Sequence, residues 1–159
     1  MRTWAPKGET PVLQYSFTWN QLSAVAGVSF WNIYFKLVQG AVRAPEVVAF
    51  LRALRRHLAE RKLLIVWDRL QAHRSRLVRE YVESQDGAIH LEFLPPYAPE
   101  LNPDEYVWND LKSQCTGRKV INSPTQLRQM IVSHMRQLQK LPMLVRSFFH
   151  APTTRYACA

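Results

Sequence analysis

The chain has 159 residues, of which 47% are hydrophobic and 11% aromatic, and a net charge of +9. This length corresponds to one ordinary domain, and the hydrophobic content excludes wholesale disorder. Because no apolar run approaches the roughly 20 residues of a membrane helix and no apolar signal segment opens the chain, we expect a cytoplasmic protein with no membrane partner.

The charge is unevenly distributed along the chain. Residues 1–67 contain nine Lys and Arg against three acids, residues 68–110 contain four against nine, and residues 111–159 contain eight against none. An acidic middle between basic flanks suits a protein that binds cations at one place and a polyanion around it. Merely solvated basic helix faces are the alternative, but the absence of acids after residue 110 favours nucleic acid.

The first third of the sequence predicts antiparallel strands after an irregular lead-in. Strands are expected at Pro11–Phe17, Leu22–Phe30 and Ile33–Val38, which are rich in β-branched and aromatic residues. Gly40 ends this meander. From Pro45 apolar residues recur at steps of three and four, which predicts an amphipathic helix leading into the next strand.

Two short apolar runs with a helix between them predict a parallel unit. The run Leu63–Trp67 halts at Asp68 and is expected to be a strand buried on both faces. A helix over Ser75–Ser84, with Leu77 on its inner side, returns the chain to a strand at Ile89–Leu94, and such a crossover is right-handed by default. Asp68 is therefore expected at the carboxyl end of a strand, where open α/β sheets bind ligands.

A proline-rich block follows the second of these strands. It contains Pro95, Pro96, Pro99 and Pro103. These residues keep the chain extended, so that a helix can begin only near Asp104. Glu105 then lies in the first turn of the helix, with Trp108 as an apolar anchor one turn later. Asp104 and Asp110 are interpreted as a first-turn acid and a surface acid, respectively.

Rigid elements thus bring two carboxylates, Asp68 and Glu105, to the same edge of the predicted sheet. Carboxylate oxygens are ligands that Mg²⁺ and Mn²⁺ prefer. Two such ions, about 4 Å apart, can activate an attacking hydroxyl and stabilise the leaving oxygen in phosphodiester chemistry. Three further residues each have two interpretations. His73 orients a phosphate or a ligand carboxylate, or it is an exposed helix residue. Asn102 assists the site or only shapes its turn, and Lys112 approaches a DNA phosphate or is merely solvated.

A basic helical segment ends the chain. Residues 123–126, Ser-Pro-Thr-Gln, form a predicted capping box. The helix that follows has an apolar stripe of Leu127, Ile131, His134, Leu138 and Leu141, in which His134 is interpreted as a core histidine. Candidate DNA contacts are Lys112, Arg118, Lys119 and Arg128. Cys115 and Cys158 lack the spacing of a zinc site and are expected to be free thiols.

Asp68 with His73 behind it, followed by the run P-Y-A-P-E-L-N-P-D-E-Y-V-W-N-D-L-K that ends at Lys112, resembles the second and third acidic residues of DDE transposases. The similarity is to the bacterial insertion-sequence branch of the mariner-like superfamily, and the opening segment Arg2–Gly8 also resembles that branch. It covers nearly the whole chain. It implies an α/β, ribonuclease H-like mixed sheet, an antiparallel meander plus parallel strands, with flanking helices over residues 1–116, and a basic helical extension over residues 117–159.

The resemblance implies metal-dependent DNA strand cleavage and transfer, with transposon ends and target DNA as partners and two Mg²⁺ or Mn²⁺ ions as cofactors. In that family a first Asp is shared by both ions, so Asp68 and Glu105 would be the flanking catalytic and metal ligands. Before Asp68 the acids are Glu9, Glu46 and Glu60, none of which closes an apolar strand. We therefore expect the carboxyl-terminal portion of a transposase that lacks the first Asp and its central strand. We expect this portion to be marginally stable or partner-dependent in its folding, and inactive alone.

Two other functions stay open. One is a non-catalytic DNA-binding or regulatory remnant that pairs with intact transposase through its basic helices. The other is a ribonuclease H-like nuclease with an unrelated substrate, which the proline block disfavours. A frame-split enzyme would instead pair with the upstream transposase fragment. For the transposase readings we expect a bacterial protein that associates with the nucleoid when it binds DNA.

Overall fold

The structure, a computed structural model, describes residues 22–59, 61–116, 121 and 123–158. The strands are β1 (Leu22–Val28), β2 (Ile33–Gln39), β3 (Leu63–Trp67) and β4 (Ile89–Phe93). The α-helices are α1 (Ala44–Leu58), α2 (Arg76–Glu83), α3 (Asp104–Leu111), α4 (Pro124–Gln139) and α5 (Pro142–Ser147). There are also 3-10 turns at Pro99–Leu101 and Arg155–Cys158 and a π-helical turn at Lys112–Thr116.

β1 and β2 form an antiparallel hairpin, as the sequence predicted. Their register pairs Val28 with Ile33 across a short corner. The Asn32 side chain closes this corner, because its Oδ1 accepts a hydrogen bond from the Ile33 N–H at 2.8 Å, while the Ser29 N–H donates to the Asn32 carbonyl at 2.8 Å. The strand predicted at Pro11–Phe17 lies outside the described residues.

β3 and β4 pair in parallel, which confirms the predicted unit of strand, helix and strand. Trp67 at the end of β3 is in register with Phe93 at the end of β4. Between them, the Ser75 hydroxyl accepts the Val78 N–H at 3.3 Å and caps the start of α2. Because β3 stops at Trp67, Asp68 directly follows the carboxyl end of a parallel strand.

β3 is buried on one face only, so the prediction of a strand covered on both faces is wrong. Trp67 is 9% exposed and packs with residues of α1 and α2, whereas Leu64 is 66% and Val66 45% exposed. Leu77, expected on the inner side of α2, is also 44% exposed. The physical reason is that α1 and α2 pack on the same face of the β3–β4 pair, and the alternation of side chains along a strand sends Leu64 and Val66 the other way.

Two hydrophobic clusters divide the described residues. The first joins the hairpin to α3, α4 and α5 through Ile33, Val107, Met135, Leu138, Val145 and Phe148. The second joins β3 to α1 and α2 through Val47, Val48, Leu51, Trp67 and Val78. The described strands form two separate two-stranded sheets, β1–β2 and β3–β4. This separation is compatible with the predicted lack of a central strand, which stays a prediction.

The C-terminal helices are packed into the first cluster. Met135 of α4 is fully buried, and Leu138 is 2% exposed. The Gln139 side chain donates a hydrogen bond to the Ile33 carbonyl at 2.6 Å and ties α4 to β2. The predicted apolar stripe of α4 was partly wrong, because it omitted Met135 and included Leu141, which is 50% exposed. None of the described helices is both long and apolar enough to cross a membrane.

Candidate metal and DNA site

Asp68 is held through one of its two carboxylate oxygens. Its Oδ1 accepts the backbone N–H of Leu70 at 3.0 Å and lies 2.8 Å from Nδ1 of His73. Its Oδ2 has no hydrogen-bond partner among the described residues, and the side chain is 55% exposed. A carboxylate anchored through one oxygen presents the other in a defined direction, which is what supporting hydrogen bonds do for metal ligands.

His73 is fixed in turn by an aromatic neighbour. Its ring stacks on the ring of Trp67, with centroids 4.4 Å apart and an angle of 2° between the planes. Its side chain is only 16% exposed. His73 precedes α2 rather than belonging to it, so the geometry favours the interpretation of a residue that orients Asp68 over that of an exposed helix residue.

Glu105 lies in the first turn of α3, on the wall of a cavity of about 530 Å³. The first residues of β1 also line this cavity, as do Trp108 and Lys112 of the same helical segment as Glu105. Asn102 fixes the start of this helix, since its Oδ1 accepts the Asp104 N–H and its carbonyl accepts the Glu105 N–H, both at 3.1 Å. This geometry favours the interpretation that Asn102 shapes its turn over the one in which it assists the site.

Asp104 is in the first turn of α3, as expected, but it is a buried acid rather than a solvated one. Trp108 Nε1 donates a hydrogen bond to Oδ2 of Asp104 at 2.8 Å, while the buried Oδ1 has no partner among the described residues. Burial raises the pKa of Asp104 to about 6; the hydrogen bond from Trp108 lowers this pKa, and the negative charges of Glu105 and Asp68 raise it further. Asp104 is therefore within electrostatic range of both Glu105 and Asp68.

Asp110 and His134 form another His–carboxylate pair. His134 Nε2 lies 2.8 Å from Oδ2 of Asp110, and the two side chains are 13% and 23% exposed. The expectation that Asp110 is a surface acid is wrong, because it links α3 to α4. His134, predicted to be a core histidine, is partly buried and has a hydrogen-bond partner. Arg128 is exposed on α4, whereas Arg118 and Lys119 lie outside the described residues.

The loop after β3 is tied to the proline block. Arg69 Nε donates a hydrogen bond to the Leu94 carbonyl at 3.0 Å. The prediction that the whole block is extended is wrong, because residues Pro99–Leu101 form a 3-10 turn before α3. Sequence reasoning missed Arg69 and Tyr97 in this region, although Arg69 adjoins Asp68 and Tyr97 lies between prolines.

A family model matches most of the chain. Residues 1–128 match the family model described as DDE superfamily endonuclease. The chain belongs to this family. The match extends from the N-terminal segment into α4 and includes both Asp68 and Glu105. No curated protein sequence matches the chain significantly.

Solved structures of Mos1 transposase have the same fold as this DDE chain. The Mos1 strand transfer complex matches with a TM-score of 0.61 at 17% identity, over 95% of this chain and 49% of that chain. The Mos1 paired-end complex with the left transposon end gives 0.58 at 17% identity, over 95% and 50%. The Mos1 catalytic domain with raltegravir and Mg gives 0.54 at 18% identity, over 80% and 73%. The predicted ribonuclease H-like architecture is confirmed, and the chain spans about half the length of the first two Mos1 chains.

The donor atoms at the candidate site are of the type that a hard divalent cation binds. Asp68 Oδ2, the Glu105 carboxylate and Oδ1 of Asp104 are all oxygens, with no thiol or imidazole among them. Within the described ranges, however, no group of three or more His, Cys, Asp or Glu side chains is arranged to hold a metal ion. The residues fit Mg²⁺ or Mn²⁺ chemically, but a complete coordination shell needs further oxygens from water, phosphate or another carboxylate.

Proposed function

We propose that this chain is part of the catalytic domain of a DDE transposase from the bacterial insertion-sequence branch of the mariner-like superfamily. Its substrates are transposon ends and target DNA, and its reaction is strand cleavage and transfer. The observation that carries the proposal is that Asp68 directly follows β3 and Glu105 lies in the first turn of α3, each acting electrostatically on Asp104, in a chain of this family. Mos1 structures contain transposon-end DNA, Mn or Mg, which supports this choice of partner and cofactor.

Asp68 and Glu105 would hold the Mg²⁺ or Mn²⁺ ions. Such ions, when bound, activate an attacking hydroxyl and stabilise the leaving oxygen of a phosphodiester. The other residues act around these two carboxylates. His73 holds Asp68 through Oδ1, and Asn102 fixes the start of the helix that carries Glu105. Lys112 lines the cavity beside Glu105, where its positive charge would face a DNA phosphate.

We also propose that the described residues do not complete this catalytic centre. In the family that the sequence resembles, an additional carboxylate is shared by the two ions, and the described residues gather no third ligand into a metal-binding group. The shared ligand would come from outside these residues, such as an upstream transposase fragment or an intact transposase chain. The chain alone is therefore expected to be inactive or nearly so.

Nicking of supercoiled plasmid DNA in Mg²⁺ or Mn²⁺ tests the catalytic proposal. The chain is assayed alone and together with the upstream catalytic segment of an intact DDE transposase supplied in trans. Nicking is expected only in the mixture, and both Asp68→Asn and Glu105→Gln should abolish it. Glu83→Gln, at an exposed acid of α2, is the charge-matched control and should leave nicking unchanged. Nicking that persists in both site variants would exclude this assignment.

A second candidate is a non-catalytic DNA-binding or regulatory remnant, and the outer face of α4 favours it. Arg128, Arg136 and Lys140 are exposed along this face and line a shallow groove of about 810 Å³ that has no acidic residue on its wall. Such a stripe suits a phosphate backbone. DNA binding that is unchanged by Asp68→Ala, with no nicking in the mixture, would favour the remnant over the split enzyme.

A further inference from the structure

Tyr97 extends into solvent from the proline block beside the candidate metal site. Its side chain is fully exposed, with a relative accessibility of 102%. Its backbone φ is 59°, in the left-handed region that residues with bulky side chains rarely adopt. A ring that buries no surface contributes little to folding, so stability does not account for an aromatic residue at this strained position.

The loop that carries Tyr97 is held on both sides. On its N-terminal side, the Arg69 Nε donates to the Leu94 carbonyl at 3.0 Å. On its C-terminal side, the Asn102 N–H donates to the Pro99 carbonyl at 2.9 Å. The flanking prolines restrict the backbone further. The Tyr97 ring is therefore presented by a braced loop rather than by a freely moving one.

Tyr97 is also close to the site along the chain. Trp67, which precedes Asp68, accepts the Leu94 N–H at its carbonyl at 2.9 Å. Tyr97 follows Leu94 by three residues, a span of at most about 10 Å. Successive nucleotides of a DNA strand rise by about 3.4 Å, so a strand with its phosphate at Asp68 can reach the ring within a few nucleotides.

We propose that the Tyr97 ring is a stacking platform for an unpaired DNA base next to the phosphate held at the Asp68 and Glu105 edge. Both the choice of DNA as the ligand and the position of that phosphate rest on the proposed function. Aromatic rings stack on every base, because each has a π face. The ligand is therefore a single-stranded or frayed segment beside a duplex, bound without strong base preference. Arg69, exposed beside the same loop, supplies a cation for its backbone.

Binding of a short duplex with a single-stranded flank that contains 2-aminopurine tests this inference, since stacking quenches the fluorescence of that base. Tyr97→Ala should bind the flanked DNA about tenfold more weakly and lose the quenching. Tyr97→Phe keeps the ring and should retain both. Trp31→Ala removes another exposed aromatic ring, 55% accessible at the corner of the β1–β2 hairpin, and should also retain both. Binding of a blunt duplex should be the same in all variants.

Retained quenching in Tyr97→Ala overturns the inference, and so does lost quenching in Tyr97→Phe. An equal loss of blunt and flanked binding in Tyr97→Ala overturns it too, because that pattern reports a general defect. Both assays on the unaltered chain separate this inference from the catalytic proposal. Quenching without nicking in the complemented mixture contradicts only the catalytic proposal, and nicking without quenching contradicts only this inference.

Discussion

Nδ1 of His73 and Oδ1 of Asp68 lie 2.8 Å apart, and the His73 ring lies flat on Trp67. Because an ionised carboxylate only accepts hydrogen bonds, Nδ1 carries the proton and donates it to this contact. The stack fixes the plane of the imidazole, and the hydrogen bond then fixes the carboxylate. Asp68 is thus positioned by the strand residue before it, through a histidine from the following loop.

His73→Phe should keep the stack on Trp67 but lose the hydrogen bond to Asp68. We expect Mn²⁺ affinity, measured by electron paramagnetic resonance, to fall about tenfold or more, as it does when supporting groups of metal ligands are removed. His90→Phe is the control, because His90 forms a similar but exposed pair with Glu92 at 3.0 Å. Equal affinities of wild type and His73→Phe would show that the contact does not position Asp68 for metal.

Asp104 should make the metal-free protein less stable as the pH rises. Its pKa is raised from 3.8 to about 6 in the folded chain, so the folded state binds more protons than the unfolded state between these values. Stability is then greatest at acid pH and falls as Asp104 ionises, by up to about 3 kcal/mol at neutral pH. The variant Asp104→Asn, which keeps an acceptor for Trp108, should remove this loss.

Urea unfolding in the presence of chelator, at about pH 4 and about pH 8, measures the effect. Asp104→Asn should be more stable than wild type at the higher pH and equal to it at the lower pH. Asp86→Asn is the matched control, since Asp86 is an exposed acid whose φ of 48° asparagine also tolerates. A stability gain that is the same at both pH values would contradict the assigned cause.

The one-sided burial of β3 predicts unequal costs for two leucines. Leu51→Ala, at a residue of α1 that is 1% exposed, should lower the free energy of unfolding by about 2–5 kcal/mol. Leu64→Ala, at a residue 66% exposed, should lower it by about 0.5 kcal/mol or less. Chemical denaturation of both variants checks this difference. A large cost at Leu64 would mean that its side of β3 is covered.

Two methionines test whether α4 shares the core of the hairpin. Met135→Ala should destabilise the chain by about 2–5 kcal/mol, because Met135 is fully buried beside Ile33 and Val107. Met143→Ala is the control, at a residue 70% exposed on α5. Thermal melts followed by circular dichroism compare them. If Met135→Ala melted like wild type, α4 would be an appendage that folds separately.

Local pattern was sufficient to predict the elements and their order. The apolar run of β3 and the capping serine before α4 each specify a local structure, and the structure contains both. The helix α3 begins at Asp104, as the prolines predicted, although Pro99–Leu101 form a 3-10 turn rather than extended chain. The sequence could predict that Asp68 follows a strand and that Glu105 lies in the first turn of a helix, and the structure has both positions. Their role as metal ligands stays a prediction.

Features that depend on a neighbouring layer could not be predicted in this way. An apolar run does not state that both helices pack on the same face, so the exposure of Leu64 was missed. Nor does helical spacing alone decide between Met135 and Leu141 as the residue that meets the hairpin. Asp104 has the sequence position of an ordinary first-turn acid, and only the structure shows the hydrogen bond that it accepts from Trp108. Such errors come from tertiary contacts between elements.

Asn102 contacts no substrate in any of these proposals, yet it determines the rotation of α3 about its own axis. Its side chain and carbonyl receive the first two amide protons of the helix, and each residue advances an α-helix by about 100°. A start displaced by one position would rotate Glu105 away from the cavity and bring its neighbour round in its place. The rotation of α3, which the Asn102 turn sets, therefore determines whether Asp104 or Glu105 faces the cavity. The chemical identity of these two adjacent acids does not decide it.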